Sequence, residues 1–290
     1  ASLLKIYSGR ISDNAGQRKP LVVLGYGLSA FARPVTALAA AAWQVVGLKF
    51  VDRIGKGLRT SPRDALIGDS VPKEFRGLAF SFHRMMDHLG AVIGPLVAIA
   101  IFTWLLGDAK WGKTSAGLEV SRQEAAAMQL IFGLSIIPGL LAVLMILFKV
   151  REIPPVSVPG AADGKSVWKR LPRKFYAFVG IVTLFALGNS SDMFLLLYAR
   201  DLFGLQLVPL VTLWIVLHLS KMVFSIPGGM ISDKIGRRPV IVAGWIMYAL
   251  VYLGMALLNT QSPVSYFVAL FIAYGFYFGM TEGTEKALVA

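Results

Sequence analysis

The sequence predicts an all-α integral membrane protein of two pseudo-symmetric helical bundles. Three observations carry this: long apolar runs, basic residues gathered on alternate connectors, and a motif that returns 220 residues later. Of 290 residues, 56% are hydrophobic and 16% charged, where a soluble domain carries about 25% charged residues. A chain so short of charged surface has lipid as its solvent.

A spanning helix needs about 20 consecutive, mostly apolar residues. Such runs occupy residues 20–43, 44–70, 78–105, 125–148, 174–200, 206–230, 239–258 and 264–290. The second holds Lys49, Asp52, Arg53, Lys56, Arg59, Arg63 and Asp64, and on hydropathy alone it fails. It is kept because removing it would set its flanking connectors on opposite faces of the membrane, against the charge pattern. Lys5, Arg10, Arg18, Lys19, Lys73, Arg76, Lys149, Arg151, Lys234, Arg237 and Arg238 fall on one face, with the basic residues of 165–174. The other face has only Lys110, Lys113, Arg122 and Arg200. Positive charge is retained in the cytoplasm, so the first face is cytoplasmic. The net charge of +13 is thus a topology signal, and nucleic acid is not an expected partner. With no cysteine in the chain, disulfides and thiolate metal sites are excluded.

Residues 1–148 are expected to form one bundle and 174–290 the other. The connector 149–173 holds Pro154, Pro155, Pro159, Gly160 and Gly164, which suits a mobile cytoplasmic linker with an interfacial helix near 167–171. The repeat supports two similar halves. Gly9, Ile11, Asp13, Gly16 and Arg18 return as Gly229, Ile231, Asp233, Gly236 and Arg238, with Arg237 in the place of Gln17. Residues 63–67 return less closely at 285–289. The last glycine of each copy allows a tight reversal. The aspartates can cap a helix start, where backbone N–H groups are unpaired. The arginines can reach carboxylates on neighbouring helices.

This motif resembles the Gly-x-Leu-x-Asp-x-x-Gly-Arg-Lys/Arg signature of the major facilitator superfamily, found between helices 2 and 3 and again between 8 and 9. The resemblance implies that the chain runs from the end of helix 2 to the end of helix 10. Helices 1, 11, 12 and most of 2 would lie outside it, and an acidic counterpart of Asp69 would follow Ala290. It also implies a cytoplasmic gate made of Gly9, Asp13, Gly16, Arg18, Asp69, Gly229, Asp233, Gly236, Arg237 and Arg238. Gly90, Gly94 and Pro95 are similar to a motif of the family's drug antiporters, with Ala98 and Ile99 where that motif closes on two glycines. Small residues there would let helices approach and Pro95 would kink the span. Arg53, Gly55 and Gly57 partly match another antiporter motif.

Ionisable groups inside a span are costly and face protein or water. Arg59, Arg63, Asp64, Arg84, Glu285 and Lys286 are expected in structural ion pairs, and His83 and His88 as hydrogen-bonded packing residues. Asp52, Arg53, Asp87, Asn189, Asp192 and Lys221 are the candidates for proton coupling or substrate contact. Asp192 leads, as a proton carrier or as the cap of a break in its helix, and Lys221 or Arg53 is expected to oppose a carrier role by stabilising the anion. The expected function is a secondary active transporter working by alternating access, a proton-coupled exporter of a small organic solute. Its partners would be that solute, protons and the lipid bilayer, and it would act as a monomer in a bacterial inner membrane. No cofactor or metal is expected, since the sequence has neither a phosphate-binding loop nor metal-ligand spacing. Two other classes stand beside this one: a membrane-embedded enzyme using His83, Asp87 and His88, and a sensor or scaffold of the same fold.

Overall fold

In the computed structural model the described residues are 2–107, 122–152 and 173–289, helical nearly throughout. The helices are α1 (Ser2–Ala15), α2 (Lys19–Val35), α3 (Ala42–Asp69), α4 (Arg76–Leu106), α5 (Arg122–Leu134) and α6 (Ile136–Lys149). After the linker come α7 (Arg173–Gly188), α8 (Asp192–Phe203), α9 (Leu207–Ile235), α10 (Arg237–Ala256) and α11 (Val264–Val289). The interfacial helix expected near 167–171 lies outside the described residues, as does most of the linker.

Among the described residues, seven helical segments are long and apolar enough to cross a membrane, α5–α6 and α7–α8 each counting as one interrupted span. Helix α3 is not among them on hydropathy, yet its 28 residues reach ~42 Å at 1.5 Å per residue. Part of its charge is spent on α2. Arg33 bonds Asp52 at 3.2 Å, and Arg59 donates to Ser29 at 3.1 Å while its guanidinium lies 4.1 Å from the centre of the Tyr26 ring. The two helices touch backbone to backbone: a Cβ on Gly25 would sit 2.6 Å from the Gly55 carbonyl. Gly25 and Gly55 therefore serve helix packing.

Local chemistry sets the ends. The α1–α2 turn passes through Gly16 at φ +64° and the α9–α10 turn through Gly236 at φ +97°, conformations that an L side chain rarely adopts. Gln44 reaches back to accept from the Ala40 and Ala41 amides at 2.7 and 3.2 Å, closing the start of α3. The span expected over 20–43 accordingly stops earlier, at Val35, followed by a short 3-10 turn at Thr36–Leu38.

The break between α7 and α8 lies against tyrosines of α10. Tyr248 donates to the Gly188 carbonyl at 3.0 Å, and Tyr252 and Ser190 share a hydrogen bond of 2.7 Å. Non-helical backbone at membrane depth survives only where protein satisfies it in this way. Ser191 is the N-cap, accepting from the Met193 amide at 3.4 Å. Asp192 is the first helical residue, so the capping role expected of it belongs to its neighbour.

The second half has a dense aromatic core. Phe267, Phe271, Tyr274 and Tyr277 on α11 pack on Leu195 and Leu196 of α8, Leu213 and Leu217 of α9, and Tyr248 and Val251 of α10. In the first half, α3 packs on α1 and α2, and α2 on α6. Helix α4 joins the two, lying along α9 and α11 of the second half. It is continuous through Pro95. No atom of another described helix comes within 4 Å of a Cβ built on Gly90 or Gly94. The close approach expected there occurs a few turns nearer the cytoplasm. A Cβ on Gly229 would meet the Gly77 carbonyl at 2.7 Å, and one on Gly283 the Ser81 hydroxyl at 2.2 Å.

Candidate functional site

The cytoplasmic ends of the two halves meet through polar contacts that both motif copies help to build. In the first copy Arg18, nearly buried, bonds Asp69 at the end of α3 and lies 3.7 Å from Asp13. Asp13 itself is 62% exposed and caps no described helix. Glu152, unnoticed in the sequence, accepts from the Arg18 and Lys19 amides at 2.9 and 2.8 Å and so closes the start of α2. No sequence signal marks it, because it lies 134 residues from Arg18. Gly9 gives α1 room against Ser61, whose hydroxyl would lie 2.7 Å from an added Cβ.

The second copy reaches across the halves. Both oxygens of Asp233 accept from backbone at the first turn of α4, Gly77 at 3.1 Å and Leu78 at 2.8 Å. Those amides have no partner inside the helix, and the positive end of its dipole favours an anion. An aspartate cap is thus present, but on a helix of the other half. Arg237 donates to the carbonyls of Lys73 at 2.9 Å and of Ala287, tying α10 to the α3–α4 connector and to α11. Arg238 is exposed. One turn deeper, Lys286 of α11 bonds Asp64 of α3 at 2.6 Å, and Asp64 also holds Arg63 at 2.9 Å. These are the ion pairs expected of Arg63, Asp64 and Lys286. Arg59 and Glu285 differ from expectation: Arg59 donates to Ser29, and Glu285 accepts from the Trp245 indole at 3.1 Å.

The candidates at membrane depth fall into separate groups. Asp52 is paired with Arg33, and Arg53 is exposed. Asp192 bonds Lys221 at 2.7 Å through one oxygen and accepts from the Tyr274 hydroxyl at 3.1 Å through the other. Lys221 is buried and its ammonium lies 3.9 Å from the centre of the Phe278 ring. The cation opposing Asp192 is therefore Lys221 and not Arg53. Asn189 sits in the break, its side-chain oxygen buried. Asp87 is half-exposed beside Arg84 at 3.2 Å and His83 at 3.7 Å.

A third group joins α4, α9 and α11. His88 and His218 face each other at 3.1 Å, Nδ1 to Nδ1, and the Nε2 of His88 lies 3.1 Å from Glu282. The other oxygen of Glu282 bonds Arg84 at 3.1 Å. The sequence shows these four residues but gives no sign that they converge, since they come from helices far apart in the chain. The trio His83, Asp87 and His88 does not converge: His88 turns to the second half while His83 and Asp87 stay beside Arg84.

The comparisons agree with this architecture. The chain is 30% identical to an uncharacterised MFS-type transporter of Methanocaldococcus jannaschii, over all of this chain and 68% of that protein. It is 25% identical to an uncharacterised protein of Mycobacterium bovis, over 99% of this chain and 66% of that one. It therefore spans about two thirds of the length of each. Over 36% of the chain it is 35% identical to the multidrug resistance protein MdtH of Salmonella paratyphi B, covering 24% of MdtH. The inward-open conformation of the xylose transporter XylE from E. coli superposes with a TM-score of 0.58 at 19% identity, over 97% of this chain and 67% of XylE. That likeness concerns the fold alone. The family model described as Major Facilitator Superfamily matches residues 1–290, and with the helical membrane architecture this places the chain in the Major Facilitator Superfamily.

Proposed function

We propose that the complete protein is a secondary active transporter that works by alternating access, exchanging protons for a small organic solute that it exports. The observation that carries this reading is the cytoplasmic closure. Asp233 on the first turn of α4, Arg237 on Lys73, and Lys286 on Asp64 are polar contacts between the two halves that water can replace. Contacts of this kind can part at low cost, as a gate requires. Export is favoured by the partial likeness to MdtH, named as a multidrug resistance protein.

The Asp192–Lys221–Tyr274 group ties the α7–α8 break to α9 and α11, and we assign it a supporting role inside the second half. An aspartate held by a lysine and a tyrosine hydroxyl is well satisfied as an anion. Asp192 is the first carboxylate to test as a proton carrier. The complete protein in sealed vesicles with an imposed pH gradient should accumulate a cationic dye such as ethidium, and dye addition should move protons. Absence of dye-dependent or other solute-dependent proton movement would favour the sensor or scaffold reading. In the Asp192→Asn variant, loss of driven accumulation with intact exchange between equal pools would make Asp192 the carrier; retained accumulation is expected from the supporting role.

A further inference from the structure

We infer that His218, His88 and Glu282 form a proton relay that crosses between the two halves and releases the cytoplasmic closure when Glu282 is protonated. The inference rests on the transporter reading above and deepens it by naming where the coupling proton travels.

For a neutral His88 the geometry fixes the protons. Glu282, held by Arg84 at 3.1 Å, accepts, so the Nε2 of His88 at 3.1 Å donates. A neutral His88 then has a bare Nδ1, and the Nδ1 of His218, 3.1 Å away, must carry the proton between them. That leaves the Nε2 of His218 bare. It is buried with no hydrogen-bond partner among the described residues, beside Trp214, whose ring centre lies 4.3 Å from that of His218. An unpaired buried acceptor is costly, and here it is the open end of a chain of hydrogen bonds whose other end is a carboxylate.

A proton entering at that open end can pass along the chain. It bonds to the Nε2 of His218. The Nδ1–H bond of His218 breaks as an Nδ1–H bond forms on His88, and the Nε2–H bond of His88 breaks as an O–H bond forms on Glu282. One proton has entered, one sits on the carboxyl, and both rings are neutral again in the opposite tautomer. Every contact survives with donor and acceptor exchanged. The path also runs the right way: His218 lies ~16 Å and Glu282 ~27 Å from the outer starts of their helices, so the chain descends towards the cytoplasm.

Glu282 is where chemistry meets the gate. It belongs to the second half, while Arg84 belongs to the first. Arg84 has two carboxylate partners, Asp87 on its own helix and Glu282, and neutralising Glu282 removes the charge of the one that comes from the facing half, at the level where α4 lies against α11. The other charged groups around the relay are accounted for. On α4, Arg84 also contacts Asp87, which has His83 beside it. On α9, Lys221 is occupied by Asp192 of α8. On α11, Lys286 is occupied by Asp64 of α3, which also holds Arg63, and Glu285 takes the Trp245 indole. Glu282 is therefore the only one of these carboxylates whose cation comes from the facing half and whose second oxygen takes a histidine.

The test uses the complete protein in lipid nanodiscs, spin-labelled at Ser70→Cys and Lys234→Cys, two exposed positions on the cytoplasmic ends of α3 and α9. Label separation is read at pH 8 and pH 5. The unaltered residues should give a short distance at pH 8 and a longer one at pH 5. His218→Gln and His88→Gln should lose the acid-induced lengthening, and Glu282→Gln, a mimic of the protonated carboxyl, should give the long distance at both pH values. Full acid-induced lengthening in both histidine variants overturns the relay. So does a short distance in Glu282→Gln at both pH values, or the absence of any acid response in the parent protein. Asp233→Asn separates the two readings. If it lengthens the distance at pH 8 while the histidine variants respond normally to acid, the relay falls and alternating access stands. If neither acid nor Asp233→Asn lengthens the distance, both fall.

Discussion

The Asp192–Lys221 and Asp64–Lys286 pairs are alike in chemistry and length, 2.7 and 2.6 Å, and differ in what they join. The first connects α8 to α9 inside the second half, with the lysine buried under Phe278 and the carboxylate shared with Tyr274. The second connects α11 to α3 across the halves, with both partners roughly a fifth exposed. An internal pair stabilises its bundle in whichever conformation the transporter adopts. A pair across the halves exists in only one of them, so it biases the conformation by whatever free energy it contributes. Position relative to the moving boundary, not bond length, decides which role an ion pair has.

That contrast can be broken by substitution. The largest stability effect is expected for Lys221→Met, which leaves Asp192 buried with only the tyrosine hydroxyl. Removing one partner of a buried pair costs about 3 kcal/mol, so thermal unfolding should fall clearly. Labelling of Ala287→Cys, a fully buried cytoplasmic reporter, should stay as slow as before. Faster labelling would mean that the internal pair also sets the conformation.

Gly229→Ala should show the reverse pattern. Its Cβ would meet the Gly77 carbonyl at 2.7 Å, and overpacking costs about 1–3 kcal/mol, here charged to the closed cytoplasmic side. Ala287→Cys should label at least several-fold faster, with little loss of thermal stability. An unchanged rate would show that α4 and α9 do not part at this crossing.

Asp233→Asn comes next. It removes the charge and one of two acceptors from the first turn of α4, worth about 1–1.5 kcal/mol, or roughly tenfold in labelling rate. The smallest effect is expected for Asp13→Asn. Its aspartate is mostly exposed and its contact to Arg18 is 3.7 Å; such surface pairs contribute about 0–1 kcal/mol, so labelling should change by no more than about fivefold. Equal effects of the two aspartate variants would sink the distinction between the copies.

Much of the frame was legible in the sequence. Apolar run length located the spans apart from α3, whose charges defeat hydropathy and whose place rests on connector charge. The repeat located both tight turns, and the glycine needed at each is confirmed by a positive φ. Position along a helix follows from residue counting, because the rise per residue is fixed. What residue counting leaves open is the direction a side chain faces and which helix lies there. That is why Glu152 went unnoticed, why the cation for Asp192 stayed open between Lys221 and Arg53, and why His88 read as packing. The sequence determined that this is a polytopic helical protein with a twice-used cytoplasmic turn and charges at known depths. Only the tertiary structure decided which charges meet, because a contact between helices more than a hundred residues apart depends on packing across the whole bundle and leaves no local pattern.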